Sequence, residues 1–273
     1  MIDVDHERAF YEAFYAQYAS MPDAELRCDR AAFERAFDDP RHPLYERRRL
    51  YAAVLEALLS EPVAGVRVLD YGCGTGDWGV LLATEGAQVT LLDLSPAGVA
   101  VGCRRAAIHG VTDRVRGVAR DASDLSVFRD EEFDLVYANA SLHHTLKYPR
   151  AVEELVRVVG PGARLVLAET FGNNPVLNLA RRLRATIAAE AVEQGEGIIL
   201  GDDHLAVLRA HFRDVHVRPL NLLAMAKRLA RGRFHLSTVR AGVRALEAID
   251  ARLLALAPPL GRYCGEVIVM ARK

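Results

Sequence analysis

The stretch Val66-Arg-Val-Leu-Asp-Tyr-Gly-Cys-Gly-Thr-Gly-Asp-Trp-Gly79 decides how the chain folds. Val66 to Tyr71 is a short apolar run with Asp70 near its end, the profile of a strand buried in a parallel sheet. Gly72, Gly74 and Gly76 then permit a tight turn whose backbone can lie close to a ligand, because no Cβ intrudes. Beyond them Trp78, Leu81, Leu82 and Ala83 recur at helical spacing. Strand, glycine turn and helix N-terminus together make a nucleotide-type site.

Two nucleotide readings fit the letters. Gly74-Thr-Gly-Asp-Trp-Gly79 satisfies G-x-G-x-x-G, and Asp93 lies near the offset of a ribose-binding acid, which suggests a dinucleotide. Asp70 argues for something else. A pyrophosphate beside that carboxylate would be repelled in a partly desolvated cleft. The sulfonium and ammonium groups of S-adenosylmethionine (SAM) would not.

From here the chain resembles the class I SAM-dependent methyltransferases, in their small-molecule branch. Val68-Leu-Asp-Tyr-Gly-Cys-Gly-Thr-Gly76 looks like the first motif of that family, with Tyr71 where an aliphatic residue is usual. Asp93, closing Val89-Thr-Leu-Leu-Asp93, is similar to the acid that holds the ribose hydroxyls. Asp121-Ala122 resembles the contact to the adenine amine, Phe133 to Asn139 the fourth-strand motif, and Gly160-Pro-Gly162 the turn before the fifth strand. The likeness is good over residues 50–159 and looser beyond. It implies a doubly wound, seven-stranded Rossmann-like α/β sheet, SAM as cofactor and S-adenosylhomocysteine (SAH) as product. The cofactor-binding residues it implies are Asp70, Gly72, Cys73, Gly74, Gly76, Asp93, Leu94, Asp121, Ala122 and Asn139. In such proteins an N-terminal helix often covers the cofactor, which adds Tyr15.

Composition sets the bounds. The 273 residues are 51% apolar, enough for a sizeable core, and the net charge of −1 offers no electrostatic case for nucleic acid or an anionic membrane. No apolar run reaches the roughly 18 residues of a membrane span, and the charged N-terminus does not read as a signal peptide. Cys28, Cys73, Cys103 and Cys264 are scattered without a C-x-x-C pair, so a reducing, cytoplasmic setting is expected and a zinc site is not.

The remaining segments fall into place around the motif. Residues 5–19 form an amphipathic helix with Phe10, Phe14 and Tyr18 on one side and Tyr11 and Tyr15 beside them. Ordinary packing with hydroxyls at the rim is the simpler expectation for these tyrosines. Helices follow at 29–37 and 44–59, the latter carrying Arg47, Arg48 and Arg49. A solvated face is expected of these arginines, with a contact to the SAM carboxylate as the alternative. Strands are expected at 66–71, 88–93, 114–119, 132–138 and 162–169, and helices at 77–86, 96–108 and 148–158, in βαβ order. Ser95-Pro96 starts a helix as N-cap and first turn. Leu94 offers an apolar face to adenine. The segment 1–60 reads as a helical cap and 61–273 as the SAM-binding domain.

Asn139-Ala-Ser-Leu-His-His-Thr145 follows the fourth strand, at the edge where open α/β sheets bind ligands. His143 and His144 are the acid–base candidates, since imidazole titrates near neutrality. No carboxylate stands at metal-binding spacing from them, so no metal is expected. Asn139 is not followed by Pro-Pro-aromatic, the pattern of methyltransferases acting on DNA bases.

Residues 176–187 form a basic helix, and 190–200, with two glycines among carboxylates, a flap at the acceptor site. Asp202 caps a helix to His211. Val215 to Arg218 is a sixth strand, and the apolar 220–229 lines the acceptor site or an interface between copies. The cluster Lys227 to Arg233 faces solvent, 237–256 is a long helix, and 265–272 is the antiparallel last strand. Residues 171–233 are thus the expected acceptor region. These features point to methyl transfer onto O, N or C of a small acceptor, in specialised metabolism by family analogy. A methyltransferase-like protein with a non-methylating reaction or a binding role stays open, as does an NAD-dependent oxidoreductase.

Overall fold

The computed structural model describes residues 4–145, 148, 150–188 and 199–273. Its elements in chain order begin with α1 (Val4–Ala16), α2 (Arg30–Asp38) and α3 (Arg48–Leu58). The alternation follows with β1 (Arg67–Tyr71), α4 (Asp77–Thr84), β2 (Gln88–Asp93), α5 (Pro96–Ile108), β3 (Val115–Ala119) and β4 (Phe133–Asn139). Next come α6 (Leu142–Thr145), α7 (Ala151–Val158), β5 (Val159–Thr170), α8 (Pro175–Ala188) and α9 (Asp202–His211). The chain closes with β6 (Arg213–Leu220), α10 (Ser237–Leu256) and β7 (Glu266–Arg272).

The strands form one seven-stranded sheet, β3-β2-β1-β4-β5-β7-β6, parallel except that β7 runs antiparallel to both its neighbours. This is the class I methyltransferase topology, and the order reverses between β1 and β4. Successive strand residues serve opposite faces. Val68, Leu135 and Tyr137 pack with α3 and α4, while Leu69, Tyr71 and Val136 pack with α6, α7 and α9. Burial on both faces explains why β1 and β2 read as unbroken apolar runs. Leu50, Val54 and Leu58 of α3 are fully buried in the first of these cores, so residues 1–60 supply part of the sheet's packing as well as a cover.

Local signals acted as expected where they were local. Asp29 Oδ1 accepts from Ala32 N at 2.9 Å to cap α2, and Ser95 Oγ accepts from Gly98 N at 3.2 Å to cap α5. The cap of α9 is Gly201, not Asp202, which sits in the first turn, where a carboxylate suits the helix dipole. The flap expected at 190–200 falls mostly on residues 189–198, outside those described.

The basic segments depart most from expectation. Lys227 is 1% exposed, and its Nζ donates to Glu266 Oε2 at 3.0 Å. Arg47 Nε donates to the other oxygen of the same carboxylate at 3.0 Å, and Asn221 Nδ2 donates to Oε2 at 2.5 Å. Burial pushes the Glu266 carboxyl up, but the Arg47 and Lys227 charges outweigh it and hold the group below its usual range. Arg48 grips Glu247 on α10 through two bonds of 2.9 Å. Arg47, just before α3, Arg48 at its start and Lys227 are therefore internal ties, not a solvated face. Residues 223–230 form a 3-10 segment packed on α10, with Ala224 and Met225 buried.

Because Glu266 holds the buried Lys227 and the half-buried Arg47, removing it leaves two cations without their carboxylate. Glu266→Ala is expected to lower the unfolding free energy by about 3–5 kcal/mol, read from urea denaturation followed by circular dichroism.

Candidate functional site

The carboxyl ends of β1, β2 and β4 open into a cavity of about 520 Å³. It occupies the reversal point of the strand order, where a crevice must form because the flanking crossovers diverge to opposite faces. Of the residues expected at a cofactor site, Asp70, Gly72, Cys73, Gly74, Asp93, Leu94, Asp121, Ala122, Asn139 and Tyr15 all line it. Gly76 does not. It caps α4 at φ 73°, and a Cβ there would sit 2.8 Å from Gly102 Cα on α5. Gly79 has a similar packing role, since a Cβ would meet Leu91 Cδ2 at 2.4 Å and Asp70 Oδ2 at 2.7 Å. The last two glycines of the pattern thus pack helix on helix and helix on strand.

Asp70 is 3% exposed, and its Oδ2 accepts from Gly79 N at 2.9 Å. Burial pushes its carboxyl up to about 7, opposed by the Gly79 bond and reinforced by Asp77 and Asp93. Asp93 holds the glycine turn shut: Oδ2 accepts from Gly74 N at 2.7 Å and Oδ1 from Ser95 N at 2.9 Å. Burial raises this carboxyl too, with the backbone donors opposing. Asp121 Oδ1 accepts from Ser123 N at 2.8 Å, fixing the turn that presents it. Asn139 Oδ1 is buried without a partner.

Several determinants carry no sequence motif. Ala140 adopts φ 51°, a conformation costly for a residue with a Cβ, and it lines the cavity. The strained turn aims Ser141 back, so that its Oγ donates to Tyr71 O at 2.6 Å. The Tyr71 hydroxyl bridges the Ala122 carbonyl and Thr145 Oγ1, each at 2.8 Å. Tyr71 thus ties the adenine-side loop to the loop after β4, a role an aliphatic residue cannot fill. Glu12 anchors the cover α1, accepting from Ser95 Oγ at 2.6 Å and Ala97 N at 3.1 Å at the start of α5. Tyr15 then lies over the glycine turn, its hydroxyl 3.0 Å from where a Cβ on Gly74 would be.

The two histidines separate. His143 is turned away from the cavity wall, with Nδ1 2.8 Å from Glu169 Oε2. Glu169 is fully buried, and its Oε1 accepts from Leu142 N at 2.9 Å and Ser141 N at 3.2 Å. His143 therefore belongs to the support of the loop. His144 lines the cavity, with Nε2 3.3 Å from the Tyr11 hydroxyl and Nδ1 2.9 Å from Glu7 Oε1. Phe33, Leu44, Tyr51 and Trp78 form an apolar wall, whereas the described residues of 171–233 contribute none of the lining. None of Arg47, Arg48 and Arg49 lines it either.

Residues 68–162 match the family model for a methyltransferase domain. Those residues run from β1 into the start of β5, and the sheet around them has the strand order that class I SAM-dependent methyltransferases share. A demethylmenaquinone methyltransferase of Clavibacter sepedonicus is 42% identical over 115 residues, covering 42% of this chain and 45% of that protein. The 27-O-demethylrifamycin SV methyltransferase of Amycolatopsis mediterranei is 33% identical over 157 residues, 57% of this chain and 55% of that protein. The chain thus spans about half the length of these relatives. Among solved structures, the [4+2]-cyclase SpnF is similar with TM-score 0.52 and 25% identity, covering 82% of this chain and 80% of that one. A geranyl diphosphate C-methyltransferase of Streptomyces coelicolor A3(2) shares the fold, with TM-score 0.56 and 19% identity over 90% of this chain and 85% of that one.

The site suits SAM on its own chemistry. Asp70, Asp93, Asp121 and the unpartnered Asn139 Oδ1 supply acceptors for a cationic, donor-rich ligand, and among the described residues no lysine or arginine lines the cavity. A dinucleotide's pyrophosphate would find no cation there.

Asp70 makes binding pH-dependent. Its folded-state pKa of about 7 lies above the ordinary 3.8, so its contribution to stability is present in acid and is lost as pH rises through 7. A cationic ligand favours the ionised form and must displace the proton below that pH. SAM affinity is expected to fall roughly tenfold per unit below pH 7 and to level off above it. Calorimetry across this range checks it, with Asp70→Asn flattening the profile.

Proposed function

We propose that the protein transfers the methyl group of SAM to an oxygen, nitrogen or carbon of a small organic acceptor, in specialised metabolism. One observation carries the reading: Asp70, Asp93, Asp121 and His144 meet in a single cavity at the carboxyl edge of the sheet. SAM, when bound, supplies a methyl group activated on a positively charged sulfur. The protein's part is then to position, to exclude water and to take up a proton.

Asp70 and Asn139 face the ammonium end, Asp93 accepts from the ribose hydroxyls, and Asp121 accepts from the adenine amine beside Leu94 and Ala122. Alignment of two bound reactants is worth up to about 7–11 kcal/mol of barrier. His144, at the wall and paired with side chains of α1, takes the acceptor's proton. Tyr11, Phe14, Tyr148 and the apolar wall of Phe33, Leu44 and Tyr51 shape the rest of the cavity.

A second reading has its own support. The likeness to the [4+2]-cyclase SpnF extends over most of both chains, and a protein that keeps the SAM site can use it as a scaffold. Incubation with SAM and metabolite extracts separates the two. The methyltransferase is expected to release SAH with a product heavier by one methylene, whereas SAM binding without SAH supports the scaffold. Binding of NADH in place of SAM would defeat both.

Two substitutions divide the roles. Asp93→Ala is expected to weaken SAM binding by about 1–3 kcal/mol, measured by calorimetry. His144→Ala should lower turnover by about 10²–10⁴-fold while sparing SAM affinity.

A further inference from the structure

We propose that Glu7 of α1 is a positioning residue for His144, so that the base is assembled only when α1 lies over the cavity. The inference rests on the methyl-transfer reading above and adds to it a residue that no motif marks. Glu7 and Tyr11 stand one helical turn apart, so they share a face of α1, and both line the cavity with His144. Glu7 Oε1 is 2.9 Å from His144 Nδ1, and the Tyr11 hydroxyl is 3.3 Å from Nε2, on the opposite side of the ring. The Nδ1 contact lies off the line of a good hydrogen bond. A small rotation of the imidazole corrects this, and catalytic hydrogen bonds are commonly misaligned until the substrate complex forms.

The chemistry follows from the two ring nitrogens. A neutral imidazole carries one N–H and one lone pair, and the partner of one nitrogen decides the state of the other. A carboxylate accepts only, so Glu7 holds the proton on Nδ1 and leaves the lone pair on Nε2. In that tautomer Tyr11 donates its hydroxyl to Nε2, on the side from which an acceptor's O–H or N–H approaches. When the acceptor gains the methyl group its proton passes to the Tyr11 oxygen as the Tyr11 proton moves to Nε2, and the imidazolium that results stands between Tyr11 and the Glu7 carboxylate that stabilises it. The C–S electron pair stays with sulfur, so charge and atoms balance.

His143 next door supplies an internal comparison. Its Nδ1 is tied to Glu169, which is fully buried and anchored on backbone N–H groups of the same loop. That pair belongs to the sheet, whereas the His144 pair spans from the sheet to the cover. No residue of α1 is fully buried; Glu12 ties it to the start of α5, the Tyr15 ring packs on Gly98, and Arg104 holds the carbonyls of Ala19 and Met21 just beyond it at 2.9 Å each. A cover held in this way can lift, and lifting it removes both partners of His144 together.

The test needs no acceptor. Long-range ¹⁵N spectra of the SAH-bound protein, with His144 assigned by comparison with His144→Gln, give its tautomer directly. The wild type is expected to show Nδ1–H with an unprotonated Nε2. Glu7→Leu should shift the population several-fold toward Nε2–H, leave His143 unchanged and keep SAH affinity. Glu7→Gln, whose amide oxygen still accepts from Nδ1–H, should retain the wild-type tautomer. An Nε2–H tautomer in the wild type, or one unaltered in Glu7→Leu, would overturn the proposal. Failure to bind SAH would instead count against the cofactor reading, and the tautomer of the unliganded protein would still decide the role of Glu7.

Discussion

A carboxylate buried at the end of a central strand, with no lysine or arginine among the described residues of the cavity wall, is the constraint around which the rest of the site is arranged. Asp70 has one backbone donor, Gly79 N, and that donor can approach only because Gly79 has no side chain. The close seating of α4 on β1 and β2 that this requires also brings the positive end of the helix toward the carboxylate. These contacts reduce the desolvation cost without cancelling it, which is why the group stays near neutrality in its titration. A cationic ligand would supply what the protein leaves uncompensated, and a pyrophosphate would meet repulsion from the same buried charge.

Asp93 shows how one acid meets structural and binding demands together. Each of its oxygens already accepts one backbone N–H, from Gly74 and Ser95. A carboxylate oxygen has a second lone pair, so the ribose contact proposed for Asp93 adds bonds without displacing those that shape the turn. The glycine turn is thus held in its form by an acid that also faces the cavity. Pre-organisation of this kind lowers the ordering cost of binding. Ala140 carries the matching strain on the far wall, its left-handed backbone held by the bond from its own N to Ala168 O at 2.8 Å.

Much of the sheet and the strand-end wall of the cavity was legible in the sequence because the determinants are contiguous. A glycine turn, an N-cap serine before proline and an alternating βα pattern act within a few residues, and each appears close to its expected position. What escaped reading was non-local. Nothing in Lys227-Arg-Leu-Ala-Arg indicates that the lysine points inward, since its partner Glu266 lies on the last strand and the second cation, Arg47, just before α3. The arginine run 47–49 looked solvated for the same reason. Tyr71 appeared as a departure from an aliphatic pattern, and only the fold shows that its hydroxyl joins two loops. Leu-His-His reads as two equivalent histidines, whereas a short helix sends one ring to Glu169 and the other to the cavity.

The contrast between the two halves of the site has a physical origin. Cofactor contacts come from strand ends and the turns between them, where backbone geometry leaves few choices and a motif survives as letters. The opposite wall of the cavity is built from side chains of α1, α2, α3 and the turn before α3 that meet only through tertiary packing. Phe33, Leu44 and Tyr51 contribute bulk, not directed bonds, and bulk can be replaced by other bulk without loss of the fold. Function grafted onto a common scaffold varies where the scaffold is least constrained. The cover α1 extends the argument: it carries Tyr11 and Tyr15 into the cavity from a helix with no fully buried residue, and elements with little buried surface are the ones whose movement costs least.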